Sequence, residues 1–192
     1  MRLILASASP RRAELLRAAD IPFDVVPAGI DEQFQPGEPP EMAVARVAQS
    51  KAASVAASHP GSVVLAADTT VVIDGEALAK PRDAADAKRM LRLLSGRTHE
   101  VLTGMCLRHG SRRLVRVETT RVHMARLSEE EIAWYISTGE PDDKAGGYAV
   151  QGLAGRFITG IEGSYSNVVG LPISRVYELL KELGCDILES QP

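Results

Sequence analysis

Ser7-Ala8-Ser9-Pro10-Arg11-Arg12 places two hydroxyls, a proline and two adjacent guanidinium groups within one short stretch. The apolar run Leu3-Ile4-Leu5-Ala6 before it has the length of a buried strand. Pro10 suits the first turn of a helix, where its missing N–H costs nothing, with Ser9 at the N-cap position. A helix N-terminus presents free backbone N–H groups and the positive end of the helix dipole, both of which attract anions. Arg11 and Arg12 add planar donor forks that match phosphate oxygens. The stretch therefore reads as a polyphosphate seat, or more plainly as a capped helix with two solvated arginines. Asp68 ends the apolar run Ser62–Ala67, and a carboxylate there either caps a turn or holds a divalent ion or a water. Ligands collect at strand ends in α/β sheets, which favours the functional reading. Gly139–Gly152 holds four glycines, the adjacent carboxylates Asp142 and Asp143, Lys144 and Gln151. That composition suits a binding loop on a rigid scaffold.

The elements that must position these groups alternate along the chain. Ala13, Leu15, Leu16 and Ala19 give the first helix its apolar face. Phe23–Val26 reads as a strand, Ala28–Glu32 as a glycine turn ending in Asp31 and Glu32, and Gln35–Pro40 as a loop. Glu41–Ala57 is an alanine-rich helix carrying Lys51, whose plainest reading is a solvated surface lysine. Val71-Val72-Ile73 runs to the turn Asp74-Gly75, and Lys80-Pro81 closes the next turn. Asp83–Leu94 is an amphipathic helix. Val101–Leu107 and Leu114–Val122 read as a hairpin with one charged, exposed face. Ser128 with Glu131 forms the signature of a capped helix start, and that helix runs to about Ser137. A strand at Phe157–Ile161 and a last helix at Ile173–Leu183 complete the chain. His99 reads as a local hydrogen-bond partner rather than a catalytic group. Tyr148 and Tyr165 could stack on a base or pack in the core.

Composition narrows the function classes. The 192 residues carry 22 Lys and Arg against 25 Asp and Glu, a formal net charge of −3. This balance disfavours a nucleic-acid binder, and 4 % aromatic residues offer little for base stacking. No apolar run reaches the roughly 20 residues of a membrane span, and Met1-Arg2 leads straight into a strand without a signal-peptide core. Cys106 and Cys185 form no metal-type cluster and read as reduced, structural thiols of a cytoplasmic protein.

Ser7–Arg12, Ala67-Asp68-Thr69, Lys80-Pro81, Asp143–Gly146, Gln151-Gly152 and the run from Gly163-Ser164-Tyr165 to Gly170-Leu171-Pro172 occur in order across nearly the whole chain. Together they resemble the Maf family. The resemblance implies one Maf-like domain over residues 1–192, with an inosine-triphosphatase-like α/β fold. That fold is an elongated mixed β-sheet flanked by helices, with a cleft between two lobes. The implied activity is hydrolysis of a nucleoside triphosphate to monophosphate and pyrophosphate with a divalent cation, Mg²⁺ or Mn²⁺. Arg11 and Gln151 resemble the dTTP/UTP branch rather than the 7-methyl-GTP branch. The late loop departs slightly from the family's Ala-Gly-Ala-Tyr-Gly-Ile-Gln-Gly, reading Ala145-Gly146-Gly147-Tyr148-Ala149-Val150-Gln151-Gly152.

On this resemblance Asp68 is the proton acceptor, and Arg11, Thr69 and Gln151 select a pyrimidine base. An amide can donate and accept at once, which fits the O and N–H edge of uracil or thymine. Hard oxygen donors suit the cation, so Glu32 and Asp68 are its expected ligands. An ordinary aspartate is a weak base at neutral pH, so Asp68 would act mainly by orienting water, and its two roles compete. Ser7, Ser9, Arg12, Lys51 and Lys80 are the expected phosphate contacts. The resemblance also implies a house-cleaning role against modified nucleotides and an association with arrest of cell division. The second keeps a non-catalytic nucleotide sensor as an alternative. The exposed hairpin suggests a homodimer.

Overall fold

The computed structural model describes residues 2–185. Seven strands form one mixed sheet: β1 (Leu3–Leu5), β2 (Asp24–Val25), β3 (Val63–Ile73), β4 (Glu76–Leu78), β5 (Thr98–His109), β6 (Arg112–Met124) and β7 (Ile158–Glu162). Their order is β2-β1-β3-β5-β6-β7, with β4 antiparallel to β3. β1 is parallel to both β2 and β3. Six helices accompany them: α1 (Pro10–Ala18), α2 (Pro40–Ser58), α3 (Ala84–Leu94), α4 (Glu129–Ser137), α5 (Tyr165–Val169) and α6 (Ile173–Leu183). The sequence expectations for α3, α4 and α6 agree with this within a residue. The hairpin strands extend beyond expectation at both ends, and the polar stretch Gly163–Asn167, which reads as a turn, leads into the short helix α5.

The chain divides into two compact units. The first comprises Met1–Asp68, Thr103–Glu118 and Gly170–Pro192. β1 and the first half of β3 are buried on both faces, so they are continuously apolar rather than alternating. Alternate residues nevertheless serve different layers. Leu3, Leu5, Val63, Leu65 and Ala67 pack with Ala13 and Leu16 of α1 and with Val176, Leu179 and Leu180 of α6. Ile4, Ala6, Val64 and Ala66 pack with Ala48, Ala52 and Val55 of α2. The small side chains of α2 let it lie close to the sheet, and Gly104 of β5 makes the approach closer. A Cβ built at Gly104 would stand 2.7 Å from the backbone N of Ala45.

The second unit comprises Thr69–Leu102 and Thr119–Val169. Val71 and Ile73 of β3, Met90, Leu91 and Leu94 of α3, and Ile132 and Tyr135 of α4 share its core with Tyr148 and Phe157. α4 starts with a full capping box: Ser128 accepts from the Glu131 N–H, and the Glu131 carboxylate accepts from the Ser128 N–H. Tyr148 is a core residue, its hydroxyl 2.7 Å from His99 Nε2. His99 is thus the local hydrogen-bond partner expected of it.

Candidate active site

The first unit holds seven of the expected site residues: Ser7, Ser9, Arg11, Arg12, Glu32, Lys51 and Asp68. The register pairs Leu5 with Leu65 in parallel strands, so the chain leaves β1 at Ser7 near where β3 runs on to Asp68. Ser7 follows the carboxyl end of β1, whereas Asp68 lies in the middle of β3, which runs on to Ile73 as one strand, so the carboxylate expected at a strand end stands instead just beyond the stretch of β3 that pairs with β1. Alternation sends the two groups into different layers. Ser7 continues the face that packs on α1, and Asp68 continues the face covered by α2.

On the first face, Pro10 occupies the first position of α1 and Ser9 the N-cap. Ser9 thus holds the expected N-cap position, although its side chain makes no capping bond. Its backbone N–H donates instead to Ser7 Oγ at 3.2 Å. Arg12 is 8 % exposed and donates from Nη1 to Ser7 Oγ at 3.0 Å and from Nε to the Gly170 carbonyl at 2.8 Å. These bonds hold the fork in place beside the helix start, so the guanidinium is not a solvated surface group. Burial lowers its pKa from the ordinary value, while the nearby charges of Asp68 and then Glu32 act the other way. Both carboxylates therefore lie within electrostatic reach of Arg12. Arg11 is half-buried, and its charge adds to the lowering.

On the second face, α2 carries Lys51 inward. The lysine is 4 % exposed, which rules out the solvated reading. Its Nζ donates to Asp68 Oδ1 at 2.9 Å, pairs with Glu32 Oε2 at 2.8 Å, and lies 3.5 Å from the Ala67 carbonyl. A buried ammonium needs such company, because an uncompensated charge is costly away from water. Asp68 is itself buried, whereas the Glu32 side chain is 52 % exposed.

Arg46, absent from the sequence reading, ties down the loop that carries Glu32. Arg46, also on α2, grips Glu38 with two bonds of 2.7 Å and donates to the Gln33 carbonyl at 3.0 Å. Asp31 accepts from the Gln33 N–H, closing the turn around Glu32. Arg46 thereby ties the loop after β2 to the helix that carries Lys51. The available signal was a lone arginine in an alanine-rich helix, facing a proline- and glycine-rich loop.

The donor set suits a small divalent cation in part. Glu32 and Asp68 converge on one point of positive charge, each through a single carboxylate oxygen. Mg²⁺ is commonly held by one or two carboxylates together with water and substrate phosphates. No group of three or more His, Cys, Asp or Glu side chains that could hold a metal ion occurs among the described residues. Cys106 is buried, and burial pushes its thiol up to about 11, away from nucleophilic use.

Thr69, Lys80 and Gln151 belong to the second unit. Thr69 is half-buried at the next position after Asp68 in β3, and Lys80 is exposed beyond β4. Gln151 is exposed in a turn closed by a bond from the Gly152 N–H to the Ala149 carbonyl at 3.1 Å.

The profile of the family described as "Maf-like protein" matches residues 2–183. A dTTP/UTP pyrophosphatase of Koribacter versatilis is 56 % identical over 184 residues, covering 96 % of this chain and 95 % of the relative. A dTTP/UTP pyrophosphatase of Anaeromyxobacter dehalogenans is 54 % identical over 195 residues, covering 100 % of this chain and 98 % of the relative. Among solved structures, the Ham1 protein of Staphylococcus aureus superposes with a TM-score of 0.52 at 12 % identity, covering 95 % of this chain and 100 % of that one. That likeness is one of fold, the inosine-triphosphatase-like fold expected from the sequence. The profile match over nearly the whole chain, together with relatives more than half identical along their full length, establishes that this chain belongs to the Maf family.

Proposed function

We propose that the protein hydrolyses dTTP and UTP between the α and β phosphates, releasing the nucleoside monophosphate and pyrophosphate. The observation that carries the reading is the buried Lys51, shared between Asp68 of β3 and Glu32 of the loop after β2, with Arg12 fixed beside the start of α1 and within electrostatic reach of both carboxylates. This combination occurs in a chain whose relatives of 56 % and 54 % identity are dTTP/UTP pyrophosphatases.

Ser7, Ser9, Arg12 and Lys51 bind the phosphate chain in this reading, and Lys80 adds positive charge. Arg12 arrives with its fork already oriented by Ser7 and Gly170, so little side-chain entropy is lost on binding. Asp68 orients the attacking water and accepts its proton. Lys51, bonded to the same carboxylate, holds that oxygen in place. Glu32 and Asp68 would hold Mg²⁺ or Mn²⁺, which when bound supplies charge neutralisation and acidifies water. Arg11, Thr69 and Gln151 select the base, the Gln151 amide pairing with the O and N–H edge of uracil or thymine. The reading includes a cytoplasmic location, with Cys106 and Cys185 as buried free thiols. No helix among the described residues is long and apolar enough to cross a membrane. It also includes a homodimer joined through the exposed face of β6.

Pyrophosphate release from dTTP, UTP, CTP, GTP and 7-methyl-GTP, with Mg²⁺ or Mn²⁺, tests the proposal. The expected result is fastest turnover of dTTP and UTP, with Asp68→Asn folded but at least about 100-fold slower. Preference for GTP or 7-methyl-GTP overturns the base assignment. Near-native turnover by Asp68→Asn removes Asp68 from the chemistry. Tight dTTP binding without pyrophosphate release would favour the nucleotide-sensor alternative.

A further inference from the structure

The second unit holds a polar network that the proposed chemistry does not use. It is centred on Glu140, just after α4. Glu140 Oε1 accepts from the Tyr135 hydroxyl at 2.8 Å and from the Ala154 N–H at 3.3 Å, and Oε2 accepts from the Leu153 N–H at 3.0 Å. The Tyr135 hydroxyl accepts in turn from the Ala149 N–H at 3.2 Å. Tyr135 is fully buried in the core, and burial followed by the Glu140 hydrogen bond raises its pKa, so it stays a protonated donor. The network therefore ties down the backbone on both sides of Gln151, at Ala149 before it and at Leu153 and Ala154 after it.

The carboxylate also lies against the backbone at the turn itself. A Cβ built at Gly152 would fall onto the Glu140 carboxyl group, so only glycine lets the turn and the carboxylate come so close. The side chain at the apex is Gln151, which is exposed and available to a ligand. Exposed turn residues are usually mobile, and an amide that discriminates between bases by hydrogen bonding must be held in direction. The rigid bracket beneath an exposed amide meets that requirement.

We propose that Glu140, with Tyr135, is a positioning residue for base selection: it fixes the Ala149–Ala154 turn so that Gln151 presents its amide in one orientation. The inference rests on Gln151 contacting the base. Its signature is a loss of discrimination, because a loosened turn lets the amide adapt to either edge. Uracil and thymine offer an acceptor O4 beside an N3–H donor, whereas cytosine offers the reverse pair.

The test is the ratio of kcat/KM for UTP to that for CTP, measured with Mg²⁺ for the intact protein and for Glu140→Gln, Tyr135→Phe and Gln151→Ala. Tyr135→Phe keeps the buried ring and removes only the hydroxyl, so it stands in if Glu140→Gln does not fold. The expected result is a fall of about tenfold or more in the ratio for all three variants. In the two network variants the slow CTP reaction stays within about threefold of the parent. A network with a purely structural role would slow both substrates equally and leave the ratio unchanged, which overturns the positioning role if Gln151→Ala lowers it. If Gln151→Ala also leaves the ratio unchanged, the assignment of Gln151 to the base falls, and the positioning role falls with it.

Discussion

Replacing Lys51 with methionine removes the one ammonium shared by Asp68 and Glu32 while keeping an unbranched side chain in the same place. Lys51 and Asp68 are 4 % and 8 % exposed, so the loss strands a carboxylate in a site with little water. Breaking a buried pair from one side typically costs about 3–5 kcal/mol. The lower end applies here, because Arg12 remains within electrostatic reach of Asp68. Glu32, half-exposed, can turn to solvent and adds little. The expected cost of Lys51→Met is thus about 3 kcal/mol, or about 6–12 °C in Tm for a chain of this size. Asp68→Asn costs less, about 1–2 kcal/mol, because the ammonium keeps Glu32 at 2.8 Å. The double variant strands no carboxylate at position 68 and should be only slightly less stable than Asp68→Asn alone. The coupling in the double-mutant cycle is then about 2–3 kcal/mol. Urea denaturation followed by circular dichroism would measure it at low salt and at 0.5 M NaCl, where a buried pair keeps its coupling and a surface pair does not. A coupling under about 0.5 kcal/mol at both salts would show that Lys51 is solvated after all, and the charge-balanced site would be lost with it.

Other perturbations report on neighbouring parts of the structure. Gly104→Ala puts a methyl against the backbone of α2 at Val44 and Ala45, which cannot yield as a side-chain tip could. A loss of about 1–3 kcal/mol is expected, with turnover falling further because α2 carries Lys51; unchanged Tm and kcat would refute the close approach. His99 is neutral and buried, its pKa lowered to about 4 by burial and secondarily by His123. The unfolded chain binds the proton at higher pH than the folded one, so stability is full above about pH 6.5 and falls as pH drops toward 4, by up to about 3 kcal/mol. His99→Gln should flatten that part of the urea-midpoint profile between pH 7 and 4.5, and parallel profiles for the two proteins would refute it.

Much of the scaffold was legible because it rests on local rules. The capping box at Ser128, the amphipathic stripe of α3 and the apolar run Val63–Ala67 that opens β3 each announce themselves within a few residues, whereas the polar Asp68-Thr69-Thr70 hid that the strand continues to Ile73. The helix start at Pro10 and the N-cap position of Ser9 were legible for the same reason, whereas the bond from the Ser9 N–H to Ser7 Oγ depends on the path of the turn. Lys51 misled for a different cause. On an alanine-rich helix the two faces look alike, and only the packing of Ala48, Ala52 and Val55 on the sheet turns the lysine inward. Arg46, Glu38 and Glu140 left no clear trace, because each acts on backbone or side chains from a different segment. A sequence pattern marks the residues that meet a ligand more readily than those that hold them in place.

The charge balance of the first unit bears on how the site must work. Arg12 and Lys51 face Asp68 and Glu32, so only Arg11 leaves the cluster with a net positive charge before any ligand arrives. A triphosphate is highly anionic, and a site so largely balanced cannot bind it by excess charge alone. Its affinity must come from the geometry of donors, as with the oriented fork of Arg12, and from freeing Lys51 from one of its two carboxylates. Glu32 is the one that can leave, because it is half-exposed and carried by a loop, while Asp68 is fixed in a central strand. The loop that carries Glu32 is clasped by Arg46. On the proposed function the buried lysine would be an exchangeable cation, shared with Glu32 in the free protein and turned toward phosphate in the complex. This explains why a protein with a formal net charge of −3 needs no broad basic surface to take a polyphosphate substrate.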